Sequence, residues 1–549
     1  MGKKMLGLVV ARPQRDYNTE IIERLSSQLS KLGYVLLVFS PFTDMAARDR
    51  NDVGERTILQ LIPYRKLEGL FVMTGSFRDQ DLIESIVEKG KEYGIKVMAL
   101  DFDHPGIPSI VFDYEGAFES MVRHVIAEHR CKRVFMMAGM RGNEYSLARE
   151  QIFIQVCREY GINKVNSQIF YGEFWEEPAR RATREFLENG QDLPDAVISA
   201  NDTMALACID ELIRHGVRVP EDIIVTGMDG IIEGSYNTPR LTTVMTDMMA
   251  FCREAAYQMD NLITGNYDGE RIHKISMSMT LAQSCGCCME ELRGIGGNLV
   301  NQYQRYSYMV NHNALMSSMR HKMLDSGRPA MYEVLHGYLS DESWVCINPS
   351  FWSKTDSGDE YRGDYDQDRE AFEDIMEVTV SRRSLGNDMS SFGLKFRKKA
   401  LLPDLQEAIE GRKYIMFLPL NYQDEVIGFF AFGDTASDME IYRSTQRCMS
   451  ISSVLHVVRD KERAEYINKM LKESNSVLHE QTIHDPLTNL LNRRGLMQGI
   501  EEICAYEEMS RDLEAGLAAE AAPGKSAEKT AGCSEGRAVG VDRSLFGKA

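Results

Sequence analysis

Ile198-Ser199-Ala200-Asn201-Asp202-Thr203-Met204-Ala205 joins a short apolar run to two polar residues and then to the start of a helical stretch. Downstream come Gly216-Val217-Arg218-Val219-Pro220-Glu221-Asp222, then Val225-Thr226-Gly227-Met228-Asp229-Gly230, then Pro239-Arg240-Leu241-Thr242-Thr243-Val244. Asn201, Asp202 and Asp229 therefore stand where a strand ends. In open α/β sheets ligands gather outside the carboxyl ends of strands. The same residue types also serve as helix N-caps, so each taken singly has a structural as well as a functional reading.

The same grammar extends outward. Leu6–Ala11 is expected to be a buried strand and Thr19–Leu32 a helix, with Ile21, Ile22, Leu25, Leu29 and Leu32 on its apolar face. Gly33 breaks that helix, and Tyr34–Phe39 is the next strand. Gly69–Met73, Val97–Asp101, Val134–Ala138, Ala196–Ser199 and Ile223–Gly227 repeat the pattern. Strands alternating with helices predict parallel sheet covered on both faces, and the length to about residue 280 implies two lobes.

These blocks, with Gly33-Tyr34-Val35-Leu36-Leu37, Leu67–Val72 and Ser109–Ala117, match in order the effector-binding domain of the LacI/GalR family over residues 5–250. The resemblance implies a two-lobed periplasmic-binding-protein-like α/β domain over 1–285. It also implies a small-molecule site between the lobes, for a sugar or related metabolite. Carried across by position, Arg149, Asn201 and Asp229 are the implied ligand contacts, with Asp113 and Tyr17 as further candidates. A guanidinium fork and carboxylates suit sugar hydroxyls through charge-assisted hydrogen bonds. The family usually carries a glycine three residues after Arg149; Ile152 stands there, which bears on pocket shape. Only four residues precede Met5, so no helix-turn-helix is expected before the first strand, and no direct DNA binding.

Residues 296–450 are expected to form a separate α+β domain on antiparallel sheet, with a helical lead-in over Leu299–Met323 and a polar stretch near 354–370. Tyr414–Leu420 and Val426–Phe432, separated by Asn421–Glu425, predict a hairpin similar to the central one of GAF domains. His312, His321 and His336 are expected to be ordinary surface or core histidines. Residues 440–482 predict one long helix. Val457, Ala464, Leu471 and Leu478 recur at seven-residue spacing, which suits either a weak coiled coil or a solvated connector.

Thr482-Ile483-His484-Asp485-Pro486-Leu487-Thr488-Asn489-Leu490-Leu491-Asn492-Arg493-Arg494 resembles the opening of a GGDEF (diguanylate cyclase) domain over 483–511, with Asp485, Leu487, Thr488, Asn492, Arg493 and Arg494 as motif residues. Too few residues follow for a domain of about 100–150 residues. No Gly-Gly-(Asp/Glu)-Glu-Phe occurs, so the resemblance implies a truncated output without turnover. Magnesium and GTP would enter only if the domain were complete; no other cofactor is expected. Residues 512–549 are low in complexity and are expected to be disordered.

Composition bounds the rest. The 549 residues are 43% hydrophobic and 26% charged, which excludes a disordered or fibrous chain. A net charge of -19 argues against holding nucleic acid by overall electrostatics. No long apolar run predicts a membrane span, and the eleven cysteines without a secretory signal point to reduced cytoplasmic thiols. Cys285, Cys287 and Cys288 lie close together, but their spacing is not a C-x-x-C pair and a tetrahedral metal would need a further ligand. Reduced thiols and no metal are therefore expected. A cytoplasmic, dimeric small-molecule sensor with a GGDEF-type output is the reading that joins these parts. An active cyclase and a LacI-like transcription regulator acting through a DNA-binding partner are its rivals.

Overall fold

A computed structural model describes residues 3–163, 168–188, 192–288, 307, 317–319, 321–322, 328–340, 342–352, 370–382, 393–434, 440–484, 488 and 490–520. Met1–Lys461 pack as one compact unit and Glu462–Ala549 as a second.

In the first unit, strands β1 (Lys4–Val9), β2 (Tyr34–Phe39), β3 (Gly69–Met73), β4 (Lys96–Asp101) and β5 (Ser109–Phe112) form the parallel sheet of lobe 1 in the order β5-β4-β3-β1-β2. These strands are apolar on both faces because both faces are covered. On one side Leu6, Leu8, Leu36 and Phe71 meet the helices Asp16–Lys31 and Met248–Thr264. On the other, Val9, Val35, Leu37 and Val72 meet the helix Gln80–Glu92. Lobe 2 repeats the plan with β6 (Val134–Ala138), β7 (Ile169–Tyr171), β8 (Ala196–Ser199) and β9 (Ile224–Thr226) in the order β7-β6-β8-β9. A small antiparallel pair, β10 (Thr243–Met245) with β12 (Ser278–Thr280), is added to lobe 2, and β11 (Ile272–Ile275) pairs with β5 in lobe 1. Between Ile223 and Gly227 the strand is shorter than its sequence pattern suggests, covering Ile224–Thr226.

An α+β part follows in the same unit. Strands β13 (Ser343–Ile347), β14 (Ile375–Arg382), β15 (Leu394–Arg397), β16 (Tyr414–Tyr422) and β17 (Glu425–Gly433) are antiparallel, in the order β16-β17-β13-β14-β15. The hairpin is tighter than its sequence suggests. Both strands extend inward, leaving only Gln423-Asp424 as the turn, with Gln423 at φ 54°. Two-residue turns of this kind follow the twist of the flanking strands.

The α+β sheet is continuous with lobe 1. β16 lies parallel to β2, Ile415 beside Leu37 and Phe417 beside Phe39, with the Phe39 and Phe417 rings stacked at 5.1 Å. Eleven strands thus form one sheet, and the exposed edge that β2 would otherwise present is paired. The short helix Arg50–Arg56 closes over this junction. Arg50 bonds Asp424 at 2.6 Å, and Gly54 sits so close that a Cβ there would fall 1.9 Å from the Gln423 carbonyl oxygen.

The helix Glu440–Ile483 is continuous, as its sequence predicts. Its first turns belong to the α+β core through Ile441, Cys448, Ile451, Leu455 and Val458. Arg459 forms a fork on Glu425 and lies over the Phe351 ring at 4.6 Å. In the second unit, Leu471 and Leu478 of the same helix are more than half exposed. The helix Arg493–Glu520 follows, so residues 512–520, expected to be disordered, are helical. Leucine, alanine and glutamate in 512–520 are strong helix formers, and this local preference outweighs their low complexity. The Leu299–Met323 lead-in (apart from a few helical residues), the 354–370 stretch up to residue 369, His312 and residues 521–549 lie outside the described residues. Among the described residues no helix is long and apolar enough to cross a membrane.

Replacing Gly54 by Ala would ordinarily favour a helix. Here the added methyl meets backbone, so Gly54→Ala is expected to lower unfolding stability by about 1–3 kcal/mol, read by chemical denaturation.

Candidate ligand site between the lobes

Three crossings join the lobes. Phe112-Asp113-Tyr114 leads from β5 into the helix Tyr114–Arg123 of lobe 2, Met245-Thr246-Asp247 returns from β10, and Ile275-Ser276-Met277 leads from β11 to β12. Asp113 ties two of them together. Its N–H donates to the Ile275 carbonyl at 2.9 Å, its carboxylate accepts from Gly116 N–H, and Lys274 Nζ stands 3.6 Å away. The carboxyl ends of β1, β3 and β4 in lobe 1, and of β6, β8 and β9 in lobe 2, carry the candidate site.

On the lobe 1 side Asp101 ends β4. It is buried, accepts a 2.7 Å hydrogen bond from Tyr17 Oη and a weaker one from Tyr114 Oη at 3.5 Å. Burial raises its carboxyl to about 6 despite both tyrosines, and also pushes the Tyr17 and Tyr114 hydroxyls well above their usual range. The turn Thr74-Gly75-Ser76 after β3 supports this corner. Thr74 Oγ1 donates to the carbonyls of Leu100 and Phe102, and Ser76 Oγ accepts from Ala11 N–H. Gly75 is required by close approach, because a Cβ there would lie 2.2 Å from the Phe102 ring and 2.5 Å from Asp101. Arg12, paired with Asp44 at 3.0 Å, has Arg15 and Arg78 near it; their charges and, first of all, burial lower its pKa.

On the lobe 2 side Arg149 donates from Nη1 to the Ala200 carbonyl at 2.7 Å. Burial works against its charge, while the Asp229 carboxylate beside it works for it. Asp229 is open to solvent yet ringed by protein. Its carboxyl is raised to about 7 by desolvation and by the Asp202 charge, with Arg149 opposing. Asn201 accepts from Met204 N–H at 2.9 Å, capping the helix Asp202–Arg214, and donates to the Phe174 carbonyl at 3.2 Å. The cap and the site are thus one residue's work. Asp202 is fully buried: it accepts from Thr243 Oγ1 at 2.6 Å and Ile231 N–H at 2.9 Å, and burial raises it to about 6.

Four of the eleven non-glycine residues with positive φ among the described residues stand at the same place. Arg12 (φ 52°), Asp101 (φ 76°), Phe174 (φ 66°) and Asp229 (φ 122°) all occupy the region that favours glycine, and each follows or ends a strand of the two lobes. Such residues cost about 1–3 kcal/mol each and cluster at binding and catalytic sites. The lobes also touch here: Phe102 and Tyr145 rings lie 5.2 Å apart.

The structure therefore joins Tyr17 and Tyr114 to Asp101 by hydrogen bonds and sets Arg149 close enough to Asp229 and Tyr114 for their charges to act on one another. Asn201 holds Phe174, and Asp113 holds a crossing. Sequence reasoning missed Asp101, Tyr114, Phe102, Tyr145 and Phe174. Asp101 alone carried a legible signal, an acid at the end of an apolar strand, like Asp229. In the second unit Thr488 lies in a turn, while Asp485 and Leu487 fall outside the described residues. Asn492 donates to the Thr482 carbonyl at 2.7 Å and accepts from Arg494 and Gly495 N–H, with Arg493 and Arg494 starting the next helix.

Asp101, Asp202 and Asp229 hold their protons more tightly folded than unfolded, where an aspartate titrates near about 3.9. Their contribution is complete below that value and disappears as pH rises through about 6–7. The melting temperature of the unliganded protein is thus expected to fall between about pH 5 and about pH 8, with a smaller fall in Asp229→Asn. Differential scanning fluorimetry across that range decides it.

The family pattern described as a periplasmic binding protein-like domain matches residues 122–285. The HTH-type transcriptional repressor PurR of Photobacterium profundum is 28% identical over 243 residues, 44% of this chain and 69% of the repressor. The PurR of Klebsiella pneumoniae is 25% identical over 273 residues, 49% of this chain and 76% of its own length. A LacI family transcriptional regulator from Weissella paramesenteroides, solved with bound glucose, superposes with a TM-score of 0.41 at 21% identity, over 51% of this chain and 98% of that one. The amino-terminal part of this chain has a two-lobed α/β fold, and residues 122–285 of it match a periplasmic binding protein-like domain.

Proposed function

We propose that the amino-terminal domain holds a small, hydroxyl-bearing polar molecule, a sugar or related metabolite, between its lobes, and that the chain is a regulator driven by that binding. The supporting observation is the meeting of Asp101, Tyr17 and Tyr114 with Arg149 and Asp229 at strained strand ends of opposite lobes. A guanidinium and carboxyls give directed hydrogen bonds to hydroxyl groups, and Phe102, Tyr145 and Phe174 supply apolar ring faces. The ligand shifts the chain's output by no more than its difference in affinity between open and closed lobes.

Transcription is the output that the similar repressors support best. A second reading, signalling through a GGDEF-type segment in a homodimer, draws on the Asn492 clamp at the end of the long helix and on the exposed Leu471 and Leu478 at seven-residue spacing. Gel-shift assays with ligand, and GTP turnover with magnesium, separate the two.

Thermal-shift screening against sugars and nucleosides tests the site. A true ligand at 100 times its dissociation constant adds about 2.7 kcal/mol of apparent stability. Arg149→Ala is expected to abolish that shift. Asp229→Gly is expected to abolish it too, while melting higher than the parent protein because the strained φ is relieved. Persistence of the shift in both variants overturns the site.

A further inference from the structure

The crossing helix Tyr114–Arg123 continues into a π-helical turn, His124–Glu128, and His129 follows directly. In a regular α-helix five residues turn through about 500°, which would leave side chains 124 and 129 about 140° apart. The wider i→i+5 turn instead brings them over one another, and such turns are rare and concentrated at functional positions. His124 Nε2 and His129 Nε2 are 3.2 Å apart, their rings edge to face.

Cys287 completes a triangle with them, its Sγ 3.6 Å from His124 Nε2 and 3.2 Å from His129 Nε2. Cys285 Sγ lies in the same group, all four ligand atoms being within 4.8 Å of one another. Cys285 is buried and is oriented by a 3.0 Å hydrogen bond from Thr242 Oγ1. Cys288, which sequence proximity would include, is not one of the four.

We infer that His124, His129, Cys285 and Cys287 form a tetrahedral site for a divalent transition metal of the zinc class. Zinc bonds of about 2.0–2.1 Å to nitrogen and about 2.3 Å to sulfur give tetrahedral edges of about 3.3 Å between nitrogens and about 3.6 Å between nitrogen and sulfur. The 3.2 Å His124–His129 and 3.6 Å His124–Cys287 separations match these, the 3.2 Å His129–Cys287 separation has to open slightly, and Cys285 Sγ lies within 4.8 Å of the other three ligand atoms. Two imidazoles and two thiolates are the donor set that selects zinc over magnesium or calcium. Thr242 supplies the outer hydrogen bond that such ligands commonly have. With four protein ligands the site is closed and structural. It fastens the stretch that follows the β10–β12 pair to the helix that follows the first crossing, and it is independent of any ligand between the lobes.

The test uses the full chain, purified and kept reduced. Stoichiometric Zn2+ is expected, competed by a chromophoric chelator, and Co2+ in its place is expected to show thiolate charge-transfer bands. His129→Gln and Cys287→Ser are each expected to weaken Zn2+ binding more than about 100-fold, since loss of an outer partner alone costs about 10- to 100-fold. Cys504→Ser, an exposed thiol in the second unit, is expected to bind like the parent. Wild-type protein stripped by chelator and reloaded keeps the result independent of variant folding; its melting temperature is expected to rise with Zn2+. Failure of the reduced wild-type chain to bind Zn2+ stoichiometrically overturns the site. So does wild-type affinity in His129→Gln, or a Cys285–Cys287 disulfide that survives reduction.

Discussion

An ionised carboxyl loses most by leaving water, and this protein buries one, Asp101, at a strand end and sets a second, Asp229, at a strand end where it is ringed by protein but open to solvent. The surrounding architecture answers that cost. Tyr17 and Tyr114 give Asp101 hydroxyl donors, and Arg149 gives Asp229 a neighbouring positive charge. What remains uncompensated keeps both carboxyls above their ordinary values.

The strained backbone at Arg12, Asp101, Phe174 and Asp229 has the same logic. Each of these residues ends a strand or follows one, where the chain turns out of the sheet. Gly75 and Gly139 clear the space this requires. A Cβ on Gly139 would overlap the Phe174 ring at 2.0 Å, as one on Gly75 would overlap Phe102. Packed cores on both faces of each sheet hold these conformations in place.

Continuity of the sheet from lobe 1 into the α+β part has a mechanical consequence. β2 and β16 share backbone hydrogen bonds and the Phe39–Phe417 stack, and the helix Glu440–Ile483 is rooted on the same sheet by Ile441, Cys448, Ile451 and Leu455. Lobe 1, the antiparallel strands and the base of the long helix share one packed core. Lobe 2 is attached through three short crossings. The His124–His129–Cys285–Cys287 cluster lies on the lobe 2 side of these crossings.

The alternation of apolar strands with amphipathic helices was legible in the chain itself, because a buried parallel strand and a covering helix each impose their own local period. So was Asp229, since a polar residue at a strand end stands out against apolar neighbours; Arg149, inside the helix Glu144–Glu159, came only from the family resemblance. Asp113 and Asn201 were equally visible, but their hydrogen bonds, one clasping a crossing and one holding Phe174, depend on the folded surroundings. Tertiary structure alone decided that β16 would cap the edge of β2, and that Cys287 would meet a histidine 163 positions away. Both are pairings between distant segments, and contacts of that kind leave no periodicity along the sequence from which they could be read.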